Sequence, residues 1–190
     1  MTQNKKTVGI TGGSGVGKSY ISELLRERGY TVIDADETAH ESINGAECAA
    51  ELCGYFGAEI MDNGRINRKK LGEIVFSEPE KLKKLNEITH KYILKDIRNK
   101  IGTANSDIVF VDGAVLIESG MECDFMIGVI SDREIRKKRI IERDGITEEE
   151  ASRRISAQQK DSFYRKNCDM TVENNGEKVD IDRILKRVTG

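Results

Sequence analysis

The chain has 190 residues, enough for one sizeable domain with appended lobes and a real buried core. Its 31 Lys+Arg nearly balance 33 Asp+Glu, so no bulk charge argues for a nucleic-acid or anionic-membrane partner, and 5% aromatics with no tryptophan supply no base-stacking platform. No apolar run approaches the roughly 20 residues that span a bilayer, and MTQNKKTVGI lacks the apolar stretch and cleavage site of a signal peptide, so a cytoplasmic protein without an obligate protein partner is expected.

Thr7–Thr11 (TVGIT) is a β-branched run ending at glycines, which predicts a strand feeding a loop. Ser19–Gly29 sets Ile21, Leu24, Leu25 and Arg28 at helical spacing, with Gly29 as the stop. Tyr30–Asp36 (YTVIDAD) predicts a second strand running into acid. From Ala39 to Asn105 the strand signal disappears, which predicts an all-helical insertion. Within it Ser77 is the candidate cap of a long helix beginning near Pro79, with Leu82, Leu85, Ile88, Tyr92, Ile93 and Ile97 as its apolar stripe. Asp107–Gly113 and Phe125–Ser131 predict two more strands, a second helical segment covers Arg133–Lys166, and Met170–Asn174 predicts a fifth strand.

These strands read as near-continuous apolar runs, the pattern of strands covered on both faces. Alternation with helices then predicts an α/β layered fold with a five-stranded parallel sheet. The expected organisation is a nucleotide-binding core (1–38, 107–132 and 167–190), a helical substrate-binding insertion (39–106) and a helical lid (133–166). Cys48, Cys53, Cys123 and Cys168 form no C-x-x-C pair and have only His40 and His90 for company, so reduced, packed thiols are expected rather than a zinc site.

Gly12-Gly13-Ser14-Gly15-Val16-Gly17-Lys18-Ser19 fits G-x-x-x-x-G-K-[ST] in full. Glycines permit positive φ and close approach, so successive backbone N–H groups can point at phosphate oxygens. Lys18 would reach the β- and γ-phosphates, Ser19 would ligate Mg²⁺, and the following helix adds its positive N-terminus. The motif sits after a strand and opens a helix, as the chemistry requires, which marks a P-loop NTPase-type fold.

Asp34-Ala35-Asp36 closes the second strand, and a persisting extended backbone would put both carboxylates on one side. Asp36, the further from the strand, is the candidate general base, and Asp34 the candidate to orient metal-bound water. Asp112 ends the apolar run IVFVD, the pattern that supplies or supports a magnesium ligand directly or through water. Glu118, six residues on, is a candidate for the same cleft. Arg136, Arg139 and Arg143 recur at i, i+3 and i+7 and would share one helix face; Arg143 is the candidate to neutralise a transferring phosphoryl group.

Over almost its whole length the chain resembles the dephospho-coenzyme A kinases. TGGSGVGKS is similar to that family's T-G-G-x-G-S-G-K-S, VIDAD to its strand-end D-A-D, and GRINRKKLGEIVFSEPEKLKKLNEITH to its internal block. VDGAVLIESG resembles D-x-P-L-L-F-E-x-G, RDGITEEEASRRISAQ the lid, and VENNG the V-I-D-N-x-G stretch. The resemblance implies transfer of the γ-phosphate of ATP, with Mg²⁺, to the 3′-hydroxyl of dephospho-coenzyme A, so ATP and dephospho-coenzyme A are the expected partners. It implies Asp36 as base and Arg143 as lid-entry arginine. Arg68 and His90 would belong to the acceptor region beside Asp36 and Glu118, and Asn175 and Gly176 would lie near the adenine. Tyr20 replaces a threonine after G-K-S, His40 stands where an arginine often follows D-A-D, Lys91 replaces the proline of H-P, and Ala114 the proline after Asp112.

Two other readings share parts of this pattern. A nucleoside or nucleoside monophosphate kinase would use the same cradle, arginines and strand-end acid, but need not carry the block from Gly64 to His90. A nucleotide-binding switch without phosphotransfer would need no acceptor base.

Overall fold

The computed structural model describes residues 5–190. In chain order it holds β1 (Lys6–Thr11), α1 (Lys18–Glu27), β2 (Thr31–Asp34), α2 (Ala35–Ser42) and α3 (Ala46–Phe56). A 3-10 turn (Ala58–Ile60) leads to β3 (Met61–Asp62), β4 (Arg65–Ile66), α4 (Arg68–Val75) and α5 (Pro79–Thr103). Then come β5 (Ile108–Asp112), β6 (Phe125–Ile130), α6 (Arg133–Asp144), α7 (Glu148–Ser156), α8 (Asp161–Asn167), β7 (Met170–Glu173) and α9 (Ile181–Thr189).

The main sheet is parallel, in the order β2-β5-β1-β6-β7, as the apolar runs predict. β1 is central, so Val8 and Ile10 are wholly buried, and the loop after β1 opens at the middle of the carboxyl edge. Ligands of open α/β sheets bind at that edge. Ile21 and Leu25 of α1 and Ile181, Ile184 and Val188 of α9 join Phe110, Ile127 and Val129 in one core. Burying each such side chain contributes about 1.5–3 kcal/mol.

The chain forms two compact units, one made of the chain up to Asp34 with Ile101–Gly190, the other of Ala35–Lys100. The second has its own core: Cys48, Leu52 and Phe56 of α3 meet Ile60, Ile66, Leu71 and Val75 of α4, and Ile88 of α5. Among the described residues no helix is long and apolar enough to cross a membrane.

Three local expectations change. The second strand stops at Asp34 and α2 begins at Ala35, so Asp36 lies in a first helical turn beside Glu37 rather than on an extended backbone with Asp34. Acids are favoured there by the positive helix N-terminus. The insertion is not all-helical, because β3 and β4 form an antiparallel hairpin. Its turn is Asn63-Gly64, with φ of 47° and 78°, the pair that a tight two-residue hairpin demands. Ser77 does not cap α5; its Oγ donates to the Ile74 carbonyl, while Pro79 takes the first helical position, where its missing N–H costs nothing.

Candidate functional site

The glycine-rich loop turns straight from β1 into α1. Gly12, Gly15 and Gly17 all have positive φ (152°, 78° and 89°), and Gly17 occupies the N-cap of α1. The Val16 side chain is buried in the core, which anchors the loop. Lys18 folds back so that Nζ donates to the Gly12 carbonyl at 3.1 Å, and Ser19 is exposed on the first turn. A loop of this geometry at a helix N-terminus is suited to receive an anion.

The three arginines do lie on the loop side of α6, yet they do different things. Arg136 is 5% exposed; its Nε donates to the Ser14 carbonyl at 3.0 Å and its Nη2 to Gln158 Oε1 at 2.8 Å. The same Gln158 oxygen accepts from Ser14 N at 2.8 Å, so one guanidinium and one carboxamide clamp the Ser14 peptide from both sides. Burial lowers the Arg136 pKa. Arg139 Nη1 donates to the carbonyls of Gly15 and Val16, both at 3.3 Å, and of Asn174 at 3.0 Å. Arg143 reaches Ser14 Oγ at 3.3 Å and is held through Nε and Nη2 by Asp144, at 2.6 and 2.9 Å. Asp144 also pairs with Arg154 of α7. The Arg143 bond, then Arg154, holds the Asp144 carboxyl down at about 2, and Asp144 in turn raises Arg143. Arg143 is thus the most solvent-exposed cation of the row, oriented toward the loop by a shared carboxylate.

Asp34 and Asp112 are paired in register on neighbouring strands, and Asp112 is also in register with Ile10 of β1. The buried Ser22 hydroxyl of α1 donates to Asp112 Oδ2 at 2.7 Å. Ser22 lies three residues after Ser19, so this bond turns the Ser19 face of α1 toward the strand-end acids. The donor set at this edge is all oxygen, which suits a hard divalent cation bound chiefly through water and phosphate. Among the described residues no three His, Cys, Asp or Glu side chains converge on a metal-sized position.

A cavity of about 570 Å³ flanks the far side of the loop, lined by Gly17, Tyr20, Arg139, Asn174, Gly176 and Lys178 among others. Tyr20 and Gly176 are therefore brought together across the chain. Asn175 is turned away, its Oδ1 accepting from Asp132 N at 2.9 Å. The asparagine that faces the loop is Asn174, buried, with Nδ2 donating to the Val16 carbonyl at 2.9 Å. Glu118 is exposed, and its charge adds to the burial that raises Tyr164 and Cys168.

In the second unit Asp36 and Arg68 line one cavity of about 490 Å³ together with His40. Arg68 Nη1 and His40 Nδ1 are 2.8 Å apart. His90 is exposed and lies outside that lining, so it is not a packed core histidine. Lys91, with Tyr92, binds Glu51 of α3. Reading the sequence alone missed Ser22, Gln158 and Asn174. Only the S-A-Q ending of the lid-like segment and the N-N pair after β7 carried any hint of the last two.

A family model described as dephospho-CoA kinase matches residues 6–180. The dephospho-CoA kinase of Fusobacterium nucleatum is 38% identical over 183 residues, covering 95% of each chain. Among solved structures, TT1252 from Thermus thermophilus superposes with a TM-score of 0.84 at 33% identity, over 98% of this chain and 97% of that one. The dephospho-CoA kinase from Campylobacter jejuni gives a TM-score of 0.63 at 26% identity, over 98% and 99%.

Proposed function

Since the chain belongs to the dephospho-CoA kinase family, we propose that it transfers the γ-phosphoryl group of ATP to the 3′-hydroxyl of dephospho-coenzyme A, giving coenzyme A and ADP, the last step of coenzyme A biosynthesis, in the cytoplasm. A glycine loop that opens α1, clamped by Arg136 and Arg139 and set beside the in-register acids of β2 and β5, carries this reading.

In this reading the loop N–H groups of Gly13–Ser19 and the α1 N-terminus take the phosphate chain, and Lys18 leaves the Gly12 carbonyl to neutralise the β- and γ-oxygens. Tyr20, Asn174 and Gly176 belong to the nucleoside side, while Asn175 holds Asp132 behind them. Ser19, with Asp112 and Asp34 acting through water, would hold Mg²⁺, which would supply charge neutralisation to the phosphate chain. Asp36 accepts the proton of the 3′-hydroxyl while that oxygen bonds to the γ-phosphorus and the bond to the β–γ bridging oxygen breaks. Arg143 balances the charge that spreads over the moving group, and its tether to Asp144 limits how far it must reorganise. Residues 39–106, with Arg68 and His90, and also Glu118, serve the acceptor, and residues 133–166 act as the lid that excludes water.

The test is ADP formation from Mg·ATP with dephospho-coenzyme A, beside AMP, CMP and a no-acceptor control. Selective turnover with dephospho-coenzyme A is expected. Turnover with a nucleoside monophosphate instead would keep the cradle and refute the acceptor. Turnover stimulated by no acceptor would refute the kinase.

A further inference from the structure

The cavity of the second unit has a polar lining of Asp36, His40, Arg68, Asn86 and Thr89 and an apolar one of Ala39, Ile43, Leu85 and Ile93. The polar lining is built by short-range stapling. Asn44 donates through Nδ2 to the His40 carbonyl at the end of α2, and its Oδ1 accepts from Ile66 N of β4, both at 3.0 Å. Asn67, the next residue, caps α4 by accepting from Lys69 N and Lys70 N at 3.1 Å, which places Arg68 on the first turn. One asparagine thus fixes the distance between the helix that carries His40 and the strand that delivers Arg68.

The Arg68–His40 contact can run in one sense only. A guanidinium has donors and no acceptor, so at 2.8 Å His40 Nδ1 must accept, and the imidazole proton sits on Nε2. Among the described residues this is the one side-chain hydrogen bond of Arg68, and the Asp36 carboxyl shares the cavity without bonding to it. A neutral acceptor orients a cation without consuming its charge, whereas an aspartate or glutamate there would cancel it. The guanidinium is oriented without a bonded carboxylate, in a cavity that Ile43, Leu85 and Ile93 also line.

We propose that His40 is a positioning residue: through Nδ1 it holds Arg68 ready for an anionic group of the acceptor, of phosphate or pyrophosphate chemistry, whose apolar extension lies along Ile43, Leu85 and Ile93. This rests on the acceptor assignment made above. It gives a role to the position at which this chain departs from the arginine that often follows D-A-D.

The experiment compares His40→Leu, His40→Asn, Arg68→Gln and the His40→Leu/Arg68→Gln pair by steady-state kinetics, varying ATP and dephospho-coenzyme A separately. Asparagine can present an acceptor oxygen near the place of Nδ1; leucine keeps apolar bulk and no acceptor. His40→Leu should raise the KM for dephospho-coenzyme A about three- to tenfold, the range for one exposed orienting hydrogen bond, with ATP KM and kcat within about twofold of wild type. His40→Asn should restore most of that loss, and the pair should be no weaker than Arg68→Gln. The positioning role is overturned if asparagine fares as badly as leucine, if both substrates' KM values rise together, if the two losses multiply, or if His40→Leu changes nothing. Wild type is assayed first: no turnover with dephospho-coenzyme A would refute the acceptor assignment and this inference with it, whereas active wild type with any of those four results refutes the inference only.

Discussion

Replacing Gly15 by alanine tests whether the loop's glycines are required by the protein's own packing as well as by phosphate. Gly15 has φ +78°, and a Cβ there would lie 2.7 Å from the Arg136 carbonyl oxygen and 3.0 Å from Ile140 Cγ1, both on α6. Gly29, in the same compact unit, has nearly the same φ, +82°, with nothing within 4 Å of an added Cβ. Gly29→Ala therefore bears the left-handed backbone cost and little else, about 1–2 kcal/mol. Gly15→Ala bears that cost plus overpacking against helix backbone of about 1–3 kcal/mol, hence about 2–5 kcal/mol in all. At about 2–4 °C per kcal/mol for a chain of this length, Gly29→Ala should lower Tm by about 2–8 °C and Gly15→Ala by about 4–20 °C. Calorimetric scans of the two variants beside wild type read the difference directly, because backbone strain is common to both. A Gly15→Ala protein that melts no lower than Gly29→Ala would refute the α6 contact as a constraint on the loop.

Asp36→Asn should lower kcat by about 10²- to 10⁴-fold, the usual worth of a general base, while ATP binding measured by calorimetry stays intact; normal turnover would remove Asp36 from the chemistry. Asp144 is ionised well below the ordinary carboxylate range because Arg143 and Arg154 hold it at about 2. Its folded pKa is depressed, so its contribution to stability is present above the unfolded value of about 3.9 and is lost as pH falls toward about 2. Asp144→Asn should therefore melt below wild type at pH 7, and the two melting curves should converge on acidification through that window; a gap that persists unchanged at the acid end would count against the pairing. Burial pushes the thiols of Cys48 and Cys168 up to about 11 and of Cys123 up to about 12. Iodoacetamide at pH 8 should leave all three unmodified in the native protein and label them after denaturation, as followed by intact mass, and rapid native labelling of Cys123 would contradict its packing.

Features governed by nearest neighbours along the chain were legible before any tertiary contact was known. The cradle is eight consecutive residues whose types each have a local reason, and the five strands of the main sheet are short apolar runs bounded by glycine and acid. Asn63-Gly64 was legible too, since that dipeptide alone specifies a tight hairpin, and the helical reading of residues 39–105 passed over it. The start of α2 was harder: Ala35 can extend a strand or open a helix, and the helix wins once Asp36 and Glu37 stand at its positive end.

What surrounds the cradle was decided elsewhere. Arg136, Arg139 and Arg143 have one spacing and one residue type, and the sequence makes them equivalent; the fold buries the first against the Ser14 peptide, spends the second on three carbonyl oxygens and leaves the third facing solvent. Ser22 meets Asp112 across 90 residues, Gln158 meets Ser14 across 144, and Asn174 meets Val16 across 158. Those meetings follow from the strand order, which sets β1 between β5 and β6 and so brings three distant segments to the edge where the loop begins. Local propensity and periodicity act over a few residues and carry no information about strand order. The sequence by itself therefore determined which residues can hold a phosphate, and the tertiary structure decided which of their neighbours hold them in place.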